Sequence, residues 1–172
     1  LRSGDMLGAN VTVPHKVAVA GLLDRPDPLA ELVGAVNTIV RSDGLLYATN
    51  TDVAGVLRAI EEAGVTVRGS NVLLLGAGGA ARAVVVAMQQ GGAAALTVAN
   101  RTLEKARQLV AVAGADLAVQ VCPLDSTSDA ANEALRGAMM RAELVIHSTS
   151  LGMRHGPDEQ ATPVPPELFR AE

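Results

Sequence analysis

Aromatic side chains are almost missing from this chain of 172 residues, which has one Tyr, one Phe and no Trp. A core without aromatics must be built from Val, Leu, Ala and Ile, which suits buried strands covered by Ala-rich helices. Basic stripes interleaved with aromatics are also lacking. With 14 Lys and Arg against 18 Asp and Glu, and a net charge of −4, a nucleic-acid surface is not expected. Cysteine is limited to Cys122, so neither an internal disulfide nor a Cys-based zinc cluster can form, and no metal site is expected. A single thiol fits a reducing compartment and reads most simply as a small apolar filler beside a strand. Long apolar runs are absent too. Stretches such as Ala83 to Met88 are far too short to span a bilayer, and no secretory leader is visible. Membrane partners are therefore not expected. The first residue is Leu1 and a motif-bearing strand begins within ten residues, so the chain reads as part of a longer one.

What is present alternates between strands and helices. Ala9 to Val13 reads as a short strand with β-branched Val11, Thr12 and Val13. Pro14 suits the first turn of a helix that would run through Val17, Val19, Ala20, Leu22 and Leu23 and stop before Pro26 and Pro28. Ala35 to Arg41 and Leu45 to Thr49 read as strands joined by the turn signal Ser42-Asp43-Gly44. A helix is expected from about Asp52 to Ala63, with Thr51 or Asn50 as N-cap, an apolar stripe of Val53, Val56, Leu57 and Ile60, and Gly64 just past its end. From Asn71 the texture changes. Val72 to Leu75 is a continuous apolar strand of the kind buried on both faces. Strands at Leu96–Ala99, Leu117–Cys122 and Leu144–His147 alternate with helices over Ala80–Gln90, Thr102–Ala113 and about Asp129–Met140. Such alternation with short connections implies a parallel sheet with right-handed crossovers. The proline-rich stretch from Gly156 to Pro166 reads as a loop. The expected class is α/β: a Rossmann-like, doubly wound parallel sheet over 52–172, preceded over 1–51 by part of a smaller α/β domain.

The chemistry is concentrated at two places. The first is Gly76-Ala77-Gly78-Gly79-Ala80-Ala81, a dinucleotide fingerprint in its Gly/Ala-terminated form. The first glycine permits the tight turn, the second a close approach to pyrophosphate, and the small final residue close packing of helix on strand. It follows a buried strand and opens a helix whose free N–H groups favour phosphate, which is the context this motif requires. About 20 residues on, where an NAD site places a carboxylate, the chain has Asn100-Arg101-Thr102. Arg101 can fork onto a 2′-phosphate and stack on adenine, with Thr102 beside it and Lys105 one turn later. This favours NADP. The plainer alternative is a solvated helix face of Arg101, Glu104 and Lys105.

The second place is Lys16 with Asp52. Both begin elements whose ends converge on a cleft in an open α/β arrangement. Removing a hydride from an alcohol requires a group that takes the hydroxyl proton. A cleft lysine beside a carboxylate can relay that proton and stabilise developing alkoxide charge. Asn37 and Asn50 are amides suited to binding hydroxyls, and Thr12 points to the opposite strand face from Val11 and Val13. Alone, Lys16 would read as a surface lysine and Asp52 as a first-turn residue favoured by the helix dipole. His15 reads as a surface or packing residue, His155 carries no assignment, and His147 ends a strand at the cofactor edge of the sheet.

Taken in order, Asn10–Lys16, Gly34–Thr38, Asn50–Gly55, Gly76–Ala80, Asn100–Thr102 and Thr149–Met153 resemble the motifs of the shikimate dehydrogenase family: Asn-Val-Thr-x-Pro-x-Lys, Gly-Ala-x-Asn-Thr, Asn-Thr-Asp-x-x-Gly, Gly-Ala-Gly-Gly-Ala, Asn-Arg-Thr and Thr-Ser-x-Gly-Met. The resemblance implies that Lys16 and Asp52 are the catalytic pair and that, with them, Thr12 and Asn37 bind shikimate, with Asn10 nearby. It implies that Gly76, Ala77, Gly78, Gly79, Ala80, Asn100, Arg101, Thr102 and Lys105 hold NADP, and that Thr149 and Ser150 line the cofactor cleft. The implied reaction is reversible NADPH-dependent reduction of 3-dehydroshikimate to shikimate, in bacterial cytoplasmic aromatic amino-acid biosynthesis, by a monomer or homodimer. The family's Ser-x-Ser substrate pair would lie before Leu1, and its C-terminal helix with a substrate-binding Gln beyond Glu172. His147 stands where the family often has Asn, and Lys105 where some members carry a second Arg. A quinate/shikimate dehydrogenase using NAD and a non-catalytic NADP-binding fragment are the rival readings. Glutamyl-tRNA reductase shares the turn and the Asn-Arg-Thr segment, but it needs a nucleophilic cysteine before that turn, whereas Cys122 follows it.

Overall fold

The computed structural model describes residues 1–2, 5–124, 128–154 and 158–169. The chain order is β1 (Gly8–Asn10), a 3₁₀ turn (Ala20–Leu22), β2 (Arg25–Pro26), α1 (Pro28–Val33), β3 (Thr38–Ser42), β4 (Leu45–Thr49), α2 (Asp52–Glu62), β5 (Asn71–Leu75), α3 (Gly79–Gly91), β6 (Ala95–Asn100), α4 (Leu103–Val110), β7 (Ala118–Pro123), α5 (Asp129–Arg141), β8 (Leu144–His147) and a second 3₁₀ turn (Pro166–Leu168).

Two sheets result. The first is mixed, with order β1-β3-β4-β2; β3 lies antiparallel to β1 and β4, and β2 runs parallel to β4. Its hairpin closes through Asp43 and Gly44, both at positive φ, the backbone a two-residue turn of this hand demands. The second sheet is parallel, with order β7-β6-β5-β8. Its side chains alternate between two cores. Val72, Leu74, Leu96 and Val98 pack with α3 and α4, while Leu73, Leu75, Ala99 and Cys122 pack with Leu135, Ala138 and Met139 of α5. The period of two along each strand places apolar residues on both faces. The sheet is therefore doubly wound. Its winding reverses between β5 and β8, and in open α/β sheets the crevice at that reversal is where ligands bind.

Several sequence expectations are corrected. Residues 14–23 do not form a helix. The Val13–Pro14 peptide is cis, and the segment is a run of turns (Val19 N to His15 O, Ala20 N to Val17 O, Leu22 N to Val19 O) ending in the 3₁₀ turn. The carbonyl of Lys16, which a helix would commit to Ala20, instead accepts from Val36 N at 2.8 Å. The strand expected over Ala9–Val13 stops at Asn10, although Val11 N still donates to Asn37 O. The strand expected from Ala35 begins at Thr38, because residues 34–37 are committed to a helix end and to side-chain bonds. Helix α1 is an addition to the expected elements. The sequence nonetheless carries its signals: Asp27 caps Ala30 N at 2.6 Å, Pro28 occupies the first position, and Gly34 (φ 62°) ends it. The prolines at 26 and 28 mark a start as well as a stop. The 3₁₀ turn at Pro166–Leu168 and buried Val164 give the expected loop a packed end. Residues 155–157 of that loop, His155 among them, lie outside the described residues.

Leu74 is fully buried at the centre of the parallel sheet. Leu74→Ala should cost about 2–5 kcal/mol of unfolding free energy, measured by urea denaturation. A loss under about 1 kcal/mol would contradict the packing described.

Candidate active site

The catalytic candidates are built around the start of α2. Asn50 is almost fully buried between β4 and this helix. Its amide donates to Ala35 O at 2.8 Å, and its carbonyl accepts from Asp52 N at 2.9 Å. The helix is thus started by the side chain two residues before its first residue; Thr51, in the N-cap position, makes no side-chain cap bond. Asp52 is thereby set with both carboxylate oxygens engaged. Oδ2 accepts from Lys16 Nζ at 2.7 Å and Oδ1 from Asn37 Nδ2 at 2.8 Å. The Lys16 and Asp52 side chains are 15% and 24% exposed, so the pair is sheltered yet still reachable from the cleft.

Asn37 is the hub of this group. Its Nδ2 donates to Thr51 Oγ1 (2.9 Å) as well as to Asp52, and its Oδ1 accepts from Thr51 N and Thr38 Oγ1, both at 3.0 Å. Two donated and two accepted bonds exhaust a primary amide, so in this arrangement Asn37 orients Asp52. Thr38 and Thr51 also join the group; both fall within the motifs Gly34–Thr38 and Asn50–Gly55, although neither is expected as a site residue from sequence. Thr12 is not in a strand. It is exposed in a turn whose carbonyl accepts from His15 N, and its side chain does not join the network.

The nucleotide turn lies against this group. Gly76 has φ 110°, and a Cβ there would come within 2.9 Å of Ser148 Oγ and 3.0 Å of the Ser148 carbonyl carbon. Only glycine permits the ends of β5 and β8 to come so close. Ser148 N and Oγ both donate to Leu75 O. Gly78 is the N-cap of α3, has no side-chain cap bond, and borders open space. The first N–H groups of this helix of 13 residues therefore face the cleft. At Gly79 a Cβ would meet Lys16 Cβ at 3.0 Å, so the small residue makes room for the lysine.

The cleft holds about 620 Å³ and runs from Lys16 and Val13 past Gly76–Ala80 to Asn100–Thr102, with Thr149 and Ser150 on the opposite wall. Among the described residues its charged lining is Lys16, Arg82, Arg101 and Lys105, with no Asp or Glu. In a chain of net charge −4 this is a local reversal of sign that draws in anions. Asn100 spends its amide on Thr102 O at 2.9 Å, shaping the turn that carries Arg101. Arg82, Gln108, Leu124 and Met153 also line the cleft and are not among the residues expected there from sequence. Arg82 has a signal: a cation in the first turn of a helix opposes the helix dipole, so it needs a reason to be there. Burial pushes its guanidinium below the ordinary arginine range. His147 is exposed and outside the cleft lining; its Nε2 is hydrogen-bonded to Thr149 Oγ1, which also accepts from Leu151 N. Among the described residues no group of His, Cys, Asp and Glu could hold a metal ion, and no helix is long and apolar enough to cross a membrane.

Comparison with known proteins gives the family. A family model described as shikimate dehydrogenase substrate binding domain matches residues 1–39, and one described as shikimate/quinate 5-dehydrogenase matches residues 58–153, more than half of the chain. The chain belongs to the shikimate/quinate 5-dehydrogenase family. Among curated relatives, shikimate dehydrogenase (NADP(+)) of Moorella thermoacetica is 47% identical over 164 residues, covering 95% of this chain and 53% of its own length. Among solved structures, shikimate 5-dehydrogenase of Thermus thermophilus in complex with NADP(H) and shikimate has a TM-score of 0.76 at 35% identity, covering 98% of this chain and 56% of that one. The enzyme of Listeria monocytogenes in complex with shikimate and NAD has a TM-score of 0.79 at 32% identity, covering 98% and 58%. The chain spans about half the length of the shikimate dehydrogenases it matches.

Two glycines of the family's nucleotide turn should part company on substitution. Gly76→Ala, with its positive φ and its contact on Ser148, should destabilise the fold by about 1–3 kcal/mol. Gly78→Ala, with open space around it, should change stability by no more than about 0.5 kcal/mol. Chemical denaturation of both variants checks this; equal effects would contradict the turn geometry.

Proposed function

We propose that this chain carries the cofactor cleft and the proton-handling pair of an NADP-dependent shikimate dehydrogenase, which reversibly reduces 3-dehydroshikimate to shikimate. The observation that carries the reading is that Lys16, bonded to Asp52, lines a cleft whose charged lining among the described residues is wholly cationic. Residues 1–51 supply the substrate side and residues 52–172 the nucleotide side, with α2 leading from one to the other.

The residues present fit NADP. The glycine backbone at 76–79 leaves room for a pyrophosphate at the start of α3. Arg101 and Lys105 offer positive charge to a 2′-phosphate, and β6 ends in Asn100, where a carboxylate would repel it. When bound, the reduced cofactor supplies the hydride. Lys16, held as an ammonium against Asp52 Oδ2, donates a proton to the oxygen of the substrate carbonyl as that oxygen becomes negative. In the oxidative direction the same nitrogen receives the hydroxyl proton. Asp52 fixes the direction of Lys16, and Asn37 holds the other carboxylate oxygen so that the carboxylate cannot rotate away. Thr12 and Asn10 lie within residues 1–39, the stretch similar to a shikimate dehydrogenase substrate binding domain, which supports a substrate-side role for both.

Three variants test the reading by NADPH titration of this chain, and by turnover with shikimate in this chain and in a form extended at both ends to its relatives' length. Arg101→Asp should weaken NADPH binding at least about tenfold while leaving folding unchanged. Lys16→Ala and Asp52→Asn should bind NADPH nearly as the parent does and lose about 10²–10⁴ in kcat in the active form. Full activity without Lys16, or a preference for NADH that Arg101→Asp does not alter, would overturn the assignment. Binding without turnover in the extended form would favour the non-catalytic reading.

A further inference from the structure

Arg82 faces the opposite way to what its helix favours. It sits in the first turn of α3, one turn after Gly78, whose carbonyl accepts from Arg82 N at 3.3 Å. Its side chain donates through Nε to Val33 O at 2.7 Å. Val33 is the last residue of α1, so the cation lies at the negative end of that helix. The fit is specific. Gly34 follows at φ 62°, and a Cβ there would lie 2.6 Å from Arg82 Nη2. Gly34 thus serves both as the helix terminator and as the space into which the guanidinium fits.

The segment after Val33 leads straight into the catalytic group. Ala35 O accepts from Asn50, Val36 N donates to Lys16 O, and Asn37 holds Asp52. Val33, Ala35 and Val36 are fully buried, so a displacement at Val33 has little room to dissipate before it reaches Asn37. No carboxylate among the described residues pairs with Arg82, which is one of the residues lining the cleft.

We propose that Arg82 is a positioning residue that couples the nucleotide turn to the Lys16–Asn37–Asp52 group through its hydrogen bond to Val33 O. The proposal rests on the reading of the cleft as an NADP site. Binding of a dinucleotide at the start of α3 fixes the first turn of that helix. Arg82 passes the constraint to residues 33–37, so that Lys16 and Asp52 are ordered when the cofactor is present.

Amide hydrogen exchange followed by NMR, with and without NADPH, tests this on the chain as it stands. In the parent, NADPH should slow exchange of the Val36 and Asn37 amides by about tenfold, together with those of residues 79–82. In Arg82→Ala, at NADPH concentrations that saturate the variant, the slowing at 79–82 should remain and that at Val36 and Asn37 should disappear; Arg82→Lys should restore part of it. Gly34→Ala attacks the same contact from the other side and should give the same loss. The double variant should lose no more than either alone. A parent that does not bind NADPH would sink the proposed function. A parent that binds NADPH but leaves Val36 and Asn37 unchanged, or variants that retain the slowing, would overturn the coupling alone.

Discussion

Everything at this site depends on one carboxylate being held by both of its oxygens. Asp52 meets Lys16 on Oδ2 and Asn37 on Oδ1, and its own backbone N–H is fixed by Asn50. These partners come from separate parts of the chain: the turn after β1, the approach to β3, and the end of β4. A carboxylate bound on one oxygen could swing about its Cβ–Cγ bond and release the lysine. Bound on both, it gives the ammonium a fixed direction, which a proton donor needs if its geometry is not to be rebuilt at each turnover. The first sheet and α2 are, in this sense, the scaffold for Asp52.

The parallel sheet contributes a place rather than a reactive group. Its winding reverses between β5 and β8, and the two strand ends are drawn together by the Ser148 bonds to Leu75 O and by the missing side chain at Gly76. The cleft that opens there is lined by the start of α3 and by Arg101 and Lys105. Lys16 crosses from the first sheet to touch Gly79. The glycine turn and the Lys16–Asp52 pair thus meet where two differently patterned halves of the chain are in contact.

Much of this is legible in the amino-acid order because the relevant signals are local. Val72–Leu75 alternates between two cores, and its unbroken apolar run announces a strand covered on both faces. The glycines at 76, 78 and 79 and the Asp43-Gly44 hairpin declare backbone conformations that few other residues adopt. What the order of residues misleads about depends on long-range bonds. The apolar spacing of residues 17–23 suggests a helix, but Val36 takes the carbonyl of Lys16, and the segment folds as turns. Helix α1 is easily overlooked because Pro28 weighs as a breaker, when Asp27 before it and Gly34 after it make it a beginning. Thr12 is assigned by alternation to a strand face that does not exist. Arg82 cannot be placed from its neighbours, since its partner, Val33 O, lies on a different sheet's helix.

The central claim is spatial: the ammonium of Lys16, bonded to the carboxylate of Asp52, faces the cleft proposed to hold the nucleotide. A crystal structure of this chain grown with NADPH tests it most directly. The account predicts the dinucleotide laid over Gly76–Gly79, with its adenosine phosphate at Arg101, and Lys16 Nζ within hydrogen-bond distance of Asp52 while pointing toward the nicotinamide ring. A structure in which the two side chains are apart, or in which the nicotinamide lies away from Lys16, would contradict it.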